Sequence, residues 1–553
     1  MFRKLLNLWI FLGFVSTGLV ADLLPIPSFE PDLAQVAYLR RSLALLQSSS
    51  PSNRPDFRIL IYGQSFSAGP WSELLVTELK TMYPNVNFIL TNSAIAGLTA
   101  WSLSYSANAD IGPWQPDLVF FNTLFDEPDS YERLFKTIRQ SCIADVVIHA
   151  DPPRSEIQLN ESLDPEVITR ESYLVLKNYF WWPEIANRYA NCFADIRTPW
   201  KQYLIENGLR FDSVLVEDKA HFNEDGQKLQ SKLLAPFFKP RNFELPFDPW
   251  NCDRVVTRQI GSELQWKDGV LDLKILGNRV DVEYVSDAPP NSPAYSYTID
   301  GKAPIDAGDL FGFDRASRSY WFGVWPGILY VESAAPLQEE SWTLQVLDMN
   351  TADGDVTYRI TGSKTGFDGI GSSLRPFVSD SKRVVISADM LMAYKDYVAT
   401  QQRPPAGWEI HFDSVRRSID TFKPFSSPAP GVPAVQTLFL SSSDSEHTLR
   451  IQCASGKPSG IRAIRAYSPS GHAALANTVR VLPNGGEFTI RRSDSSILIS
   501  WPTTWGVGRV QRRIALSPSG VWTDLDDPFV QVGNRYEISR PLDASGGFFR
   551  WNP

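Results

Sequence analysis

A serine that directly follows a strand-like run is the first residue of this sequence that could act as a nucleophile. The apolar run Phe57 to Tyr62 is followed by Gly63-Gln64-Ser65. In an open parallel sheet, ligands bind beyond the carboxyl ends of the strands, so this position would present Ser65 at the reactive edge. A serine hydroxyl is a weak nucleophile until a base removes its proton. A base is therefore needed from elsewhere in the chain.

Histidine is the usual base because its pKa lies near neutral. The first half of the sequence contains two histidines, His149 and His221. Asp218 precedes His221 by three residues in a loop ahead of a predicted helix, so one turn of backbone can bring the carboxylate onto the imidazole. That carboxylate would hold the ring tautomer and stabilise the imidazolium. His149 ends a strand-like run and has only Asp151 as a nearby acid, so Ser65, Asp218 and His221 are the predicted catalytic residues.

Five short apolar runs alternate with helical patterns between residues 56 and 242. The predicted strands are Phe57 to Tyr62, Val86 to Leu90, Asp117 to Phe121, Ala144 to His149 and Cys192 to Ile196. The predicted helices are Trp71 to Met82, Tyr131 to Gln140, Thr169 to Tyr189, Trp200 to Asn207 and Asn223 to Phe237. This alternation predicts an α/β fold with a parallel sheet covered on both faces. The Gly-x-Ser and Asp-x-x-His motifs could each occur by chance, and His221 would then lie in a capped surface loop. One motif follows the first strand and the other precedes the last helix of the same region, and these positions favour a shared site.

The motifs together resemble the SGNH hydrolase superfamily, also called GDSL-like esterases, over about residues 56 to 240. The similar blocks are Gly63-Gln64-Ser65, in the GQS form of some carbohydrate esterases, Ala94-Ile95-Ala96-Gly97 and Asp218-Lys219-Ala220-His221. The resemblance implies a flavodoxin-like three-layer fold that needs no cofactor, with Ser65 as nucleophile and Asp218 and His221 as acid and base. It also implies an oxyanion hole formed by the N–H groups of Ser65 and Gly97, each donor being worth about 3 kcal/mol at the transition state.

The third block departs from the family pattern. Where the family has Gly-x-Asn-Asp after the strand, this sequence reads Asn122-Thr123-Leu124-Phe125-Asp126-Glu127, which puts Asp126 in the place of the asparagine. An ionised carboxylate cannot donate a hydrogen bond, so Asn122 is the candidate for a third oxyanion donor. Two aromatic residues, Trp101 and Trp114, are expected near the cleft as substrate-binding residues.

An α/β-hydrolase is the alternative fold for a serine hydrolase, and the sequence fits it less well. The nucleophile of that fold lies in Gly-x-Ser-x-Gly, whereas position 67 here is serine. The α/β-hydrolase acid and base also lie on separate loops. Ser67 is an alternative nucleophile, although it lies further than Ser65 from the end of the strand.

Downstream of the proline-rich segment Phe243 to Asn251, the sequence changes to β-like runs separated by Gly, Pro, Asn and Asp. Residues 251–470 are predicted to form a β-rich accessory domain, with one helical patch around Ala388 to Thr400, and residues 476–553 a fibronectin-like β domain. The first resembles the β-rich module that follows many secreted bacterial esterases, and the second resembles the fibronectin-type modules that end secreted bacterial proteins. Both resemblances suggest that these regions bind polysaccharide or act as spacers, with a purely structural role as the alternative. Residues 22–55 form a helical lead-in to the SGNH-like domain, residues 56–242.

Length, charge and cysteine content bound the remaining possibilities. The 553 residues exceed what one core ordinarily holds, so several domains are expected. The net charge is −9 and there is no long basic run, which argues against nucleic-acid binding. The four cysteines predict no disulfide framework, and no ligand spacing predicts a metal site. The oligomeric state is left open.

The N-terminus predicts export. Residues 1–21 carry Arg3 and Lys4, then an apolar stretch that ends near Ala21, as in a secretory signal peptide. No later segment predicts a membrane span, and an uncleaved membrane anchor is the alternative to a cleaved signal. The protein is therefore expected to be secreted, periplasmic or at the cell surface.

These observations predict a serine carboxylic-ester hydrolase that removes O-acyl groups, such as acetyl, from a polysaccharide. An acylated carbohydrate is then its expected partner. One alternative is a non-catalytic glycan-binding or cell-surface protein that keeps the fold, which the altered third block and the large β half favour. Another is a lipase or thioesterase acting on long acyl chains, which would need an apolar groove that the sequence cannot reveal.

Overall fold

The computed structural model describes residues 23–124, 126–159, 173–242, 247–320, 325–427 and 432–469, and strand segments between residues 489 and 552. The predicted signal peptide, residues 1–21, lies outside the described residues, so export stays a prediction. Across the described ranges, no helix is long and apolar enough to cross a membrane.

A five-stranded parallel sheet forms the centre of the first half of the chain. Its strands are β1 Asp56–Gly63, β2 Asn87–Asn92, β3 Leu118–Asn122, β4 Asp145–His149 and β5 Cys192–Ala194. They lie in the order β2-β1-β3-β4-β5, and every neighbouring pair is parallel. This is the flavodoxin-like order, in which ligands bind at the switch point between β1 and β3. The predicted α/β class is confirmed.

Helices flank this sheet on both sides in sequence alternation. They are α1 Leu33–Val36, α2 Arg40–Gln47, α3 Trp71–Met82, α4 Ala100–Ile111, α5 Pro128–Ser141, α6 Glu156–Leu159, α7 Tyr173–Val175, α8 Trp182–Arg188, α9 Arg197–Glu206 and α10 Glu224–Leu234. A π-helical turn, Leu176–Trp181, joins α7 to α8. Short 3-10 turns lie at Ala37–Leu39, Ser65–Ser67, Phe211–Val214 and Ala235–Phe238.

The sequence pattern gives the bounds of α3 correctly but does not predict α4. In α3, buried apolar residues recur at helical spacing, as Trp71, Leu75 and Leu79 show. The inward face of α4 carries buried serines instead, including Ser102 and Ser106. Because these small polar residues interrupt the apolar periodicity, the sequence pattern of α4 does not indicate a helix.

The helical lead-in is attached to the parallel sheet by hydrogen bonds. The backbone N–H of Ser42 donates to Asp145 Oδ2 at 2.7 Å. The backbone N–H of Phe193 donates to Gln35 Oε1 at 2.8 Å. The lead-in therefore packs as an outer layer of the α/β unit, with Leu39, Leu43 and Leu46 fully buried.

The next part of the chain consists of antiparallel strands. They are β6 Val255–Gln259, β7 Val270–Tyr284, β8 Tyr295–Ile299, β9 Phe311–Phe313, β10 Glu340–Met349, β11 Val356–Gly362, β12 Gly366–Ser372, β13 Phe377–Val378, β14 Val385–Ile386, β15 Glu409–Arg416, β16 Thr421–Phe422, β17 Val435–Cys453 and β18 Ile461–Tyr467. One helix, α11 Ala393–Thr400, lies between β14 and β15. Further 3-10 turns lie at Pro304–Asp306 and Gly308–Leu310.

These strands form two separate main sheets within the region predicted to be one β-rich domain. A six-stranded sheet has the order β16-β8-β17-β7-β18-β6. A five-stranded sheet, β12-β11-β10-β15-β9, is built from chain inserted between β8 and β16, and we call it the nested sheet. The apolar core of the nested sheet, including Ile328 and Trp342, is continuous with that of the α/β unit. The six-stranded sheet has a core of its own.

The C-terminal strands form one four-stranded and one three-stranded antiparallel sheet. They are β19 Thr489–Arg492, β20 Ser496–Pro502, β21 Arg509–Arg513, β22 Thr523–Asp524, β23 Val530–Val532, β24 Arg535–Pro541 and β25 Phe548–Asn552. Much of the chain that connects them lies outside the described residues, so the fibronectin-like domain stays a prediction. The four cysteines, Cys142, Cys192, Cys252 and Cys453, are free and buried.

Candidate active site

The end of β1 holds Ser65 in a tightly constrained turn. Gly63 has φ +141°, and a Cβ at this position would lie 2.0 Å from the Asn122 carbonyl oxygen, so glycine is required there. The buried Gln64 side chain accepts the Leu124 N–H at 3.0 Å and donates to the Leu124 carbonyl oxygen at 3.3 Å. Ser65 then begins a 3-10 turn and is half-buried.

The loop before α10 brings Asp218 and His221 to this serine. Lys219 adopts a left-handed conformation, φ 56°, which turns the chain back so that residues 218 and 221 meet. Asp218 Oδ2 lies 2.6 Å from His221 Nδ1. His221 Nε2 lies 2.8 Å from Ser65 Oγ. The three side chains therefore form one continuous hydrogen-bonded row, although 156 residues separate the serine from the histidine.

The second carboxylate oxygen fixes the loop itself. Asp218 Oδ1 accepts the backbone N–H groups of Ala220 and His221 at 2.8 and 2.9 Å. Partial burial alone would raise the pKa of Asp218, but the hydrogen bonds from the His221 backbone and ring and from the Ala220 N–H outweigh it and lower that pKa. An ionised Asp218 accepts only, so it holds the proton on Nδ1 and leaves Nε2 free to accept the Ser65 hydroxyl proton.

An aromatic and a cationic side chain support the imidazole, and the sequence motifs give no signal for either. The Phe66 ring stacks on His221, with centroids 5.1 Å apart at 27°. The Arg154 guanidinium lies 4.2 Å from the centroid of the Phe66 ring. Arg154 also donates a hydrogen bond to the Ala220 carbonyl oxygen. These contacts restrict the rotation of the His221 ring and of its loop.

Two backbone N–H groups near Ser65 could bind an oxyanion. Gly97 is exposed and has φ +77°, and its loop is tied to the end of β1 because the Ile95 N–H donates to the Gly63 carbonyl at 2.8 Å. The N–H groups of Ser65 and Gly97 form no hydrogen bond with any residue that the structure describes. Both are therefore available to a ligand.

The third predicted donor, Asn122, has a different place. Its side chain is 2% exposed, and its Nδ2 donates to the His149 carbonyl at 2.8 Å. A donor that serves an oxyanion has to face the substrate, so the structure gives no support to Asn122 in this role.

Asp126, which stands where the resembling family has asparagine, caps helix α4. Its carboxylate accepts the N–H groups of Ala100 and Trp101 at 2.5 and 3.4 Å. Burial raises the pKa of Asp126, while the bonds from Ala100 and Trp101 act in the opposite sense. A carboxylate at a helix N-terminus is favoured by the helix dipole, so Asp126 holds α4 and does not serve as an oxyanion donor.

The two predicted substrate-binding tryptophans lie in different places. Trp101 is partly exposed, close after Gly97, and the Lys395 ammonium lies 4.4 Å from its ring. Trp114 lies at the amino ends of the parallel strands, where Arg58 Nη1 donates to its carbonyl oxygen at 3.0 Å. Because Arg58 belongs to the start of β1 and Ser65 follows its end, the expectation for Trp114 is corrected: it is far from the candidate site.

The alternative nucleophile and the alternative base are both engaged elsewhere. Ser67 is fully buried and donates to the Asn122 carbonyl at 3.2 Å. His149 is buried and contacts the Gln230 amide at 3.0 Å. Burial lowers the pKa of His149 to about 4, which leaves it neutral inside the core.

A buried ion pair lies just beyond the ends of β3 and β4. Lys177 Nζ lies 2.7 Å from Asp151 Oδ2, with both side chains at most 1% exposed. Lys177 also donates to the Thr123 carbonyl and lies 3.8 Å from the Trp182 ring. Burial lowers the pKa of Lys177 to about 8, against the opposing effect of Asp151. Lys177 lies on the π-helical turn, and the sequence spacing does not reveal its pairing with Asp151.

A second serine, histidine and aspartate occur together in the six-stranded sheet. His447 Nδ1 lies 2.8 Å from Asp300 Oδ2, and His447 Nε2 lies 3.1 Å from Ser445 Oγ. Asp300 also accepts the Thr448 N–H at 2.7 Å, so it ties the turn after β8 to β17. This set lies in an antiparallel sheet, away from the switch point of the parallel one. Among the described residues, no group of three or more His, Cys, Asp or Glu could hold a metal ion.

Comparison with known proteins finds no matching family model and no matching curated protein. Similar solved structures include a two-domain esterase active on acetylated mannans, 11% identical, with a TM-score of 0.30 over 78% of this chain and 96% of its own. An acetylxylan esterase from Geobacillus stearothermophilus is 17% identical, with a TM-score of 0.26 over 33% of this chain and 92% of its own. A protein described as a GDSL-like lipase, from Parabacteroides merdae, is 12% identical, with a TM-score of 0.26 over 34% and 98%. These TM-scores are too low for the likeness to assign an activity to this chain.

Proposed function

We propose that this protein is a serine carboxylic-ester hydrolase of the SGNH type, with Ser65 as nucleophile, His221 as base and Asp218 as the acid that orients it. The observation that carries the proposal is the continuous row from Asp218 Oδ2 through the imidazole to Ser65 Oγ, with contacts of 2.6 and 2.8 Å. This geometry meets the requirement for an activated serine, a base within hydrogen-bond reach that a third group holds in place.

The first half of the reaction acylates the serine. His221 Nε2 takes the hydroxyl proton while Ser65 Oγ forms a bond to the ester carbonyl carbon, and the carbonyl oxygen becomes an oxyanion. The N–H groups of Ser65 and Gly97 are the donors proposed for that oxyanion, and removal of one such donor typically costs about 10²–10³ in kcat. The C–O bond to the alcohol then breaks, and His221 returns the proton to the leaving alkoxide.

The second half of the reaction releases the acid. His221 Nε2 removes a proton from water as the water oxygen attacks the acyl carbon. The tetrahedral intermediate collapses, Ser65 Oγ leaves and recovers the proton, and a carboxylic acid departs. Asp218 stabilises the imidazolium in both halves without taking up the proton itself.

The proposed substrate class is an O-acylated polysaccharide, with acetyl as the acyl group. It follows from the resemblance of Gly63-Gln64-Ser65 to the GQS form of carbohydrate esterases and from the β-rich second half of the chain. Trp101 is the aromatic residue that we propose beside the substrate, because it is partly exposed and follows the Gly97 loop.

Labelling with a fluorophosphonate probe tests the nucleophile. The wild-type protein should be labelled, Ser65→Ala should not, and Ser445→Ala should be labelled as the wild type is. Ser445→Ala is the matched control because it removes the serine of the second Ser–His–Asp set. An unlabelled wild-type protein would instead support the non-catalytic glycan-binding alternative, and labelling that survives Ser65→Ala would assign the nucleophile to another serine.

Substrate release assays test the acyl group and the alcohol. Acetylated polysaccharides should release acetate with wild-type protein and none with Ser65→Ala. Synthetic aryl esters of increasing acyl length should be hydrolysed more slowly as the chain lengthens. Faster hydrolysis of long-chain esters would replace the carbohydrate esterase proposal with the lipase or thioesterase alternative.

A further inference from the structure

A tryptophan from the inserted part of the chain contacts the loop that carries Gly97. Trp325, which precedes β10, is 9% exposed, and its Nε1–H donates to the Ala96 carbonyl oxygen at 2.7 Å. A Cβ at Gly97 would lie 3.3 Å from Cζ2 of the same indole. The Trp325 ring therefore both hydrogen-bonds this loop and covers it closely at Gly97.

The hydrogen bond acts on the peptide group that matters for the proposed oxyanion hole. The Ala96 carbonyl and the Gly97 N–H belong to one planar peptide unit, and in a trans peptide they point in opposite directions. Fixing the carbonyl oxygen toward Trp325 therefore fixes the Gly97 N–H in the direction away from it. Because a bonded carbonyl polarises its own amide, the same contact also strengthens the Gly97 N–H as a donor.

The Gly97 loop needs such a clamp because glycine is the most flexible residue in it. Gly97 has φ +77°, a conformation that glycine adopts at no steric cost but that it also leaves readily. The chain on either side is held, since the Ile95 N–H donates to the Gly63 carbonyl at 2.8 Å and the Leu98 N–H to the Ile95 carbonyl at 3.2 Å. Rotation of the Ala96–Gly97 peptide is the freedom that remains, and the Trp325 bond restricts it.

The inserted region is fixed to the α/β unit at several other points, so Trp325 reaches the loop from a firm support. Arg315 lies 3.5 Å from the buried carboxylate of Asp110 on α4. The Lys395 ammonium covers the Trp101 ring at 4.4 Å. The apolar core runs without a break from the α/β unit into the nested sheet.

We propose that Trp325 is a positioning residue of the active site, which holds the Ala96–Gly97 peptide so that the Gly97 N–H binds the oxyanion. This inference rests on the proposed ester hydrolase function. It assigns the inserted region a part in catalysis that neither a spacer nor a polysaccharide-binding module would have.

The test removes the indole N–H and keeps the ring. Trp325→Phe should lower kcat about five- to tenfold with an aryl acetate, the effect expected for one ordinary hydrogen bond, with KM changed less than twofold. The fall should appear in kcat because both tetrahedral transition states use the same donor. Affinity for a boronic acid, which forms a tetrahedral adduct with the serine, should fall by a similar factor.

Trp342→Phe is the matched control. Trp342 is a buried tryptophan of the nested sheet whose Nε1–H donates to Ser414 Oγ at 3.1 Å, so the same substitution removes the same kind of bond away from the site. This control should leave kcat and boronic acid affinity unchanged. If Trp325→Phe fails to fold, replacement of Trp325 by benzothienylalanine keeps the shape of the indole without its N–H.

The outcomes separate this inference from the function on which it rests. A wild-type protein with neither ester hydrolysis nor probe labelling would remove the proposed function. An active wild-type protein whose folded Trp325 variants keep full kcat and full boronic acid affinity would overturn the positioning role alone. A loss confined to KM would show that Trp325 contacts substrate and would also contradict the proposal.

Discussion

Replacement of Asp218 by asparagine should abolish most of the proposed esterase activity without unfolding the protein. Asp218 Oδ1 accepts two backbone N–H groups, from Ala220 and His221, so the introduced carboxamide keeps its oxygen on that side. Its NH₂ group then takes the place of Oδ2, 2.6 Å from His221 Nδ1. Because an amide NH₂ only donates, the ring has to accept at Nδ1 and carry its proton on Nε2.

The wrong tautomer takes the base away from the nucleophile. With a proton on Nε2, His221 can only donate to Ser65 Oγ, so the hydroxyl has no acceptor for its proton at 2.8 Å. The equivalent change in a fully buried serine protease triad costs about 10⁴ in kcat. Here the Asp218 and His221 side chains are 33% and 43% exposed, and water screens part of the effect. We therefore expect a loss of about 10²–10³, or about 3–4 kcal/mol at the transition state.

The assay is kcat for an aryl acetate, together with the rate of fluorophosphonate labelling, since both need a deprotonated Ser65. Both rates should fall by the same factor in Asp218→Asn. Asp212→Asn is the control, because Asp212 belongs to the preceding turn and pairs with Arg210 at 3.0 Å, so its loss should leave both rates near those of the wild type. An Asp218→Asn protein that is folded and retains kcat within tenfold of wild type would refute the proposed role of the carboxylate.

Two further predictions concern the buried polar groups behind the site. Burial lowers the folded-state pKa of His149 to about 4, below the unfolded value of about 6.5, so the free energy of unfolding should fall by about 3 kcal/mol as pH falls from about 6.5 to about 4. Urea titrations at several pH values should show a smaller dependence of the unfolding free energy on pH in His149→Gln. An unchanged dependence would contradict this prediction. Lys177→Met should lower the free energy of unfolding by about 3–5 kcal/mol because it leaves Asp151 charged in the core without its ion-pair partner. Adding Asp151→Asn should recover most of that loss, and denaturation showing no recovery would mean that the cost lies in packing.

Several parts of the site follow from short-range sequence signals. A strand followed by Gly63-Gln64-Ser65 places a hydroxyl at a sheet edge because the turn chemistry of glycine and the strand period are local properties. Asp218 and His221 meet because a three-residue spacing closes within one turn, as their 2.6 Å contact shows. The alternation of strands and helices likewise gives the parallel sheet, since each apolar period is set by the few residues around it.

Other parts depended on partners that lie far apart in sequence. The Asn122 amide donates to the His149 carbonyl, and the Asp126 carboxylate accepts the first N–H group of α4. In the structure, both residues of the altered third block therefore have structural partners, and the motif alone does not reveal these partners. Trp114 follows α4, which carries the chain back to the amino ends of the parallel strands, beside Arg58. Spacing along the chain does not reveal which edge a loop reaches, because that depends on how many times the chain has crossed the sheet.

The sequence by itself predicted the three proposed catalytic residues and determined the class of the sheet that holds them. The strand and helix periods, the Gly63-Gln64-Ser65 turn and the three-residue spacing of Asp218 and His221 are all local features of the sequence. Only the tertiary structure decided that the serine and the histidine meet at 2.8 Å across 156 residues. It also decided that the chain inserted between β8 and β16 contacts the Gly97 loop, through the hydrogen bond from Trp325 to the Ala96 carbonyl. The physical reason is that such contacts arise from strand order and from the burial of shared apolar surface, and neither is a property of any local stretch of chain.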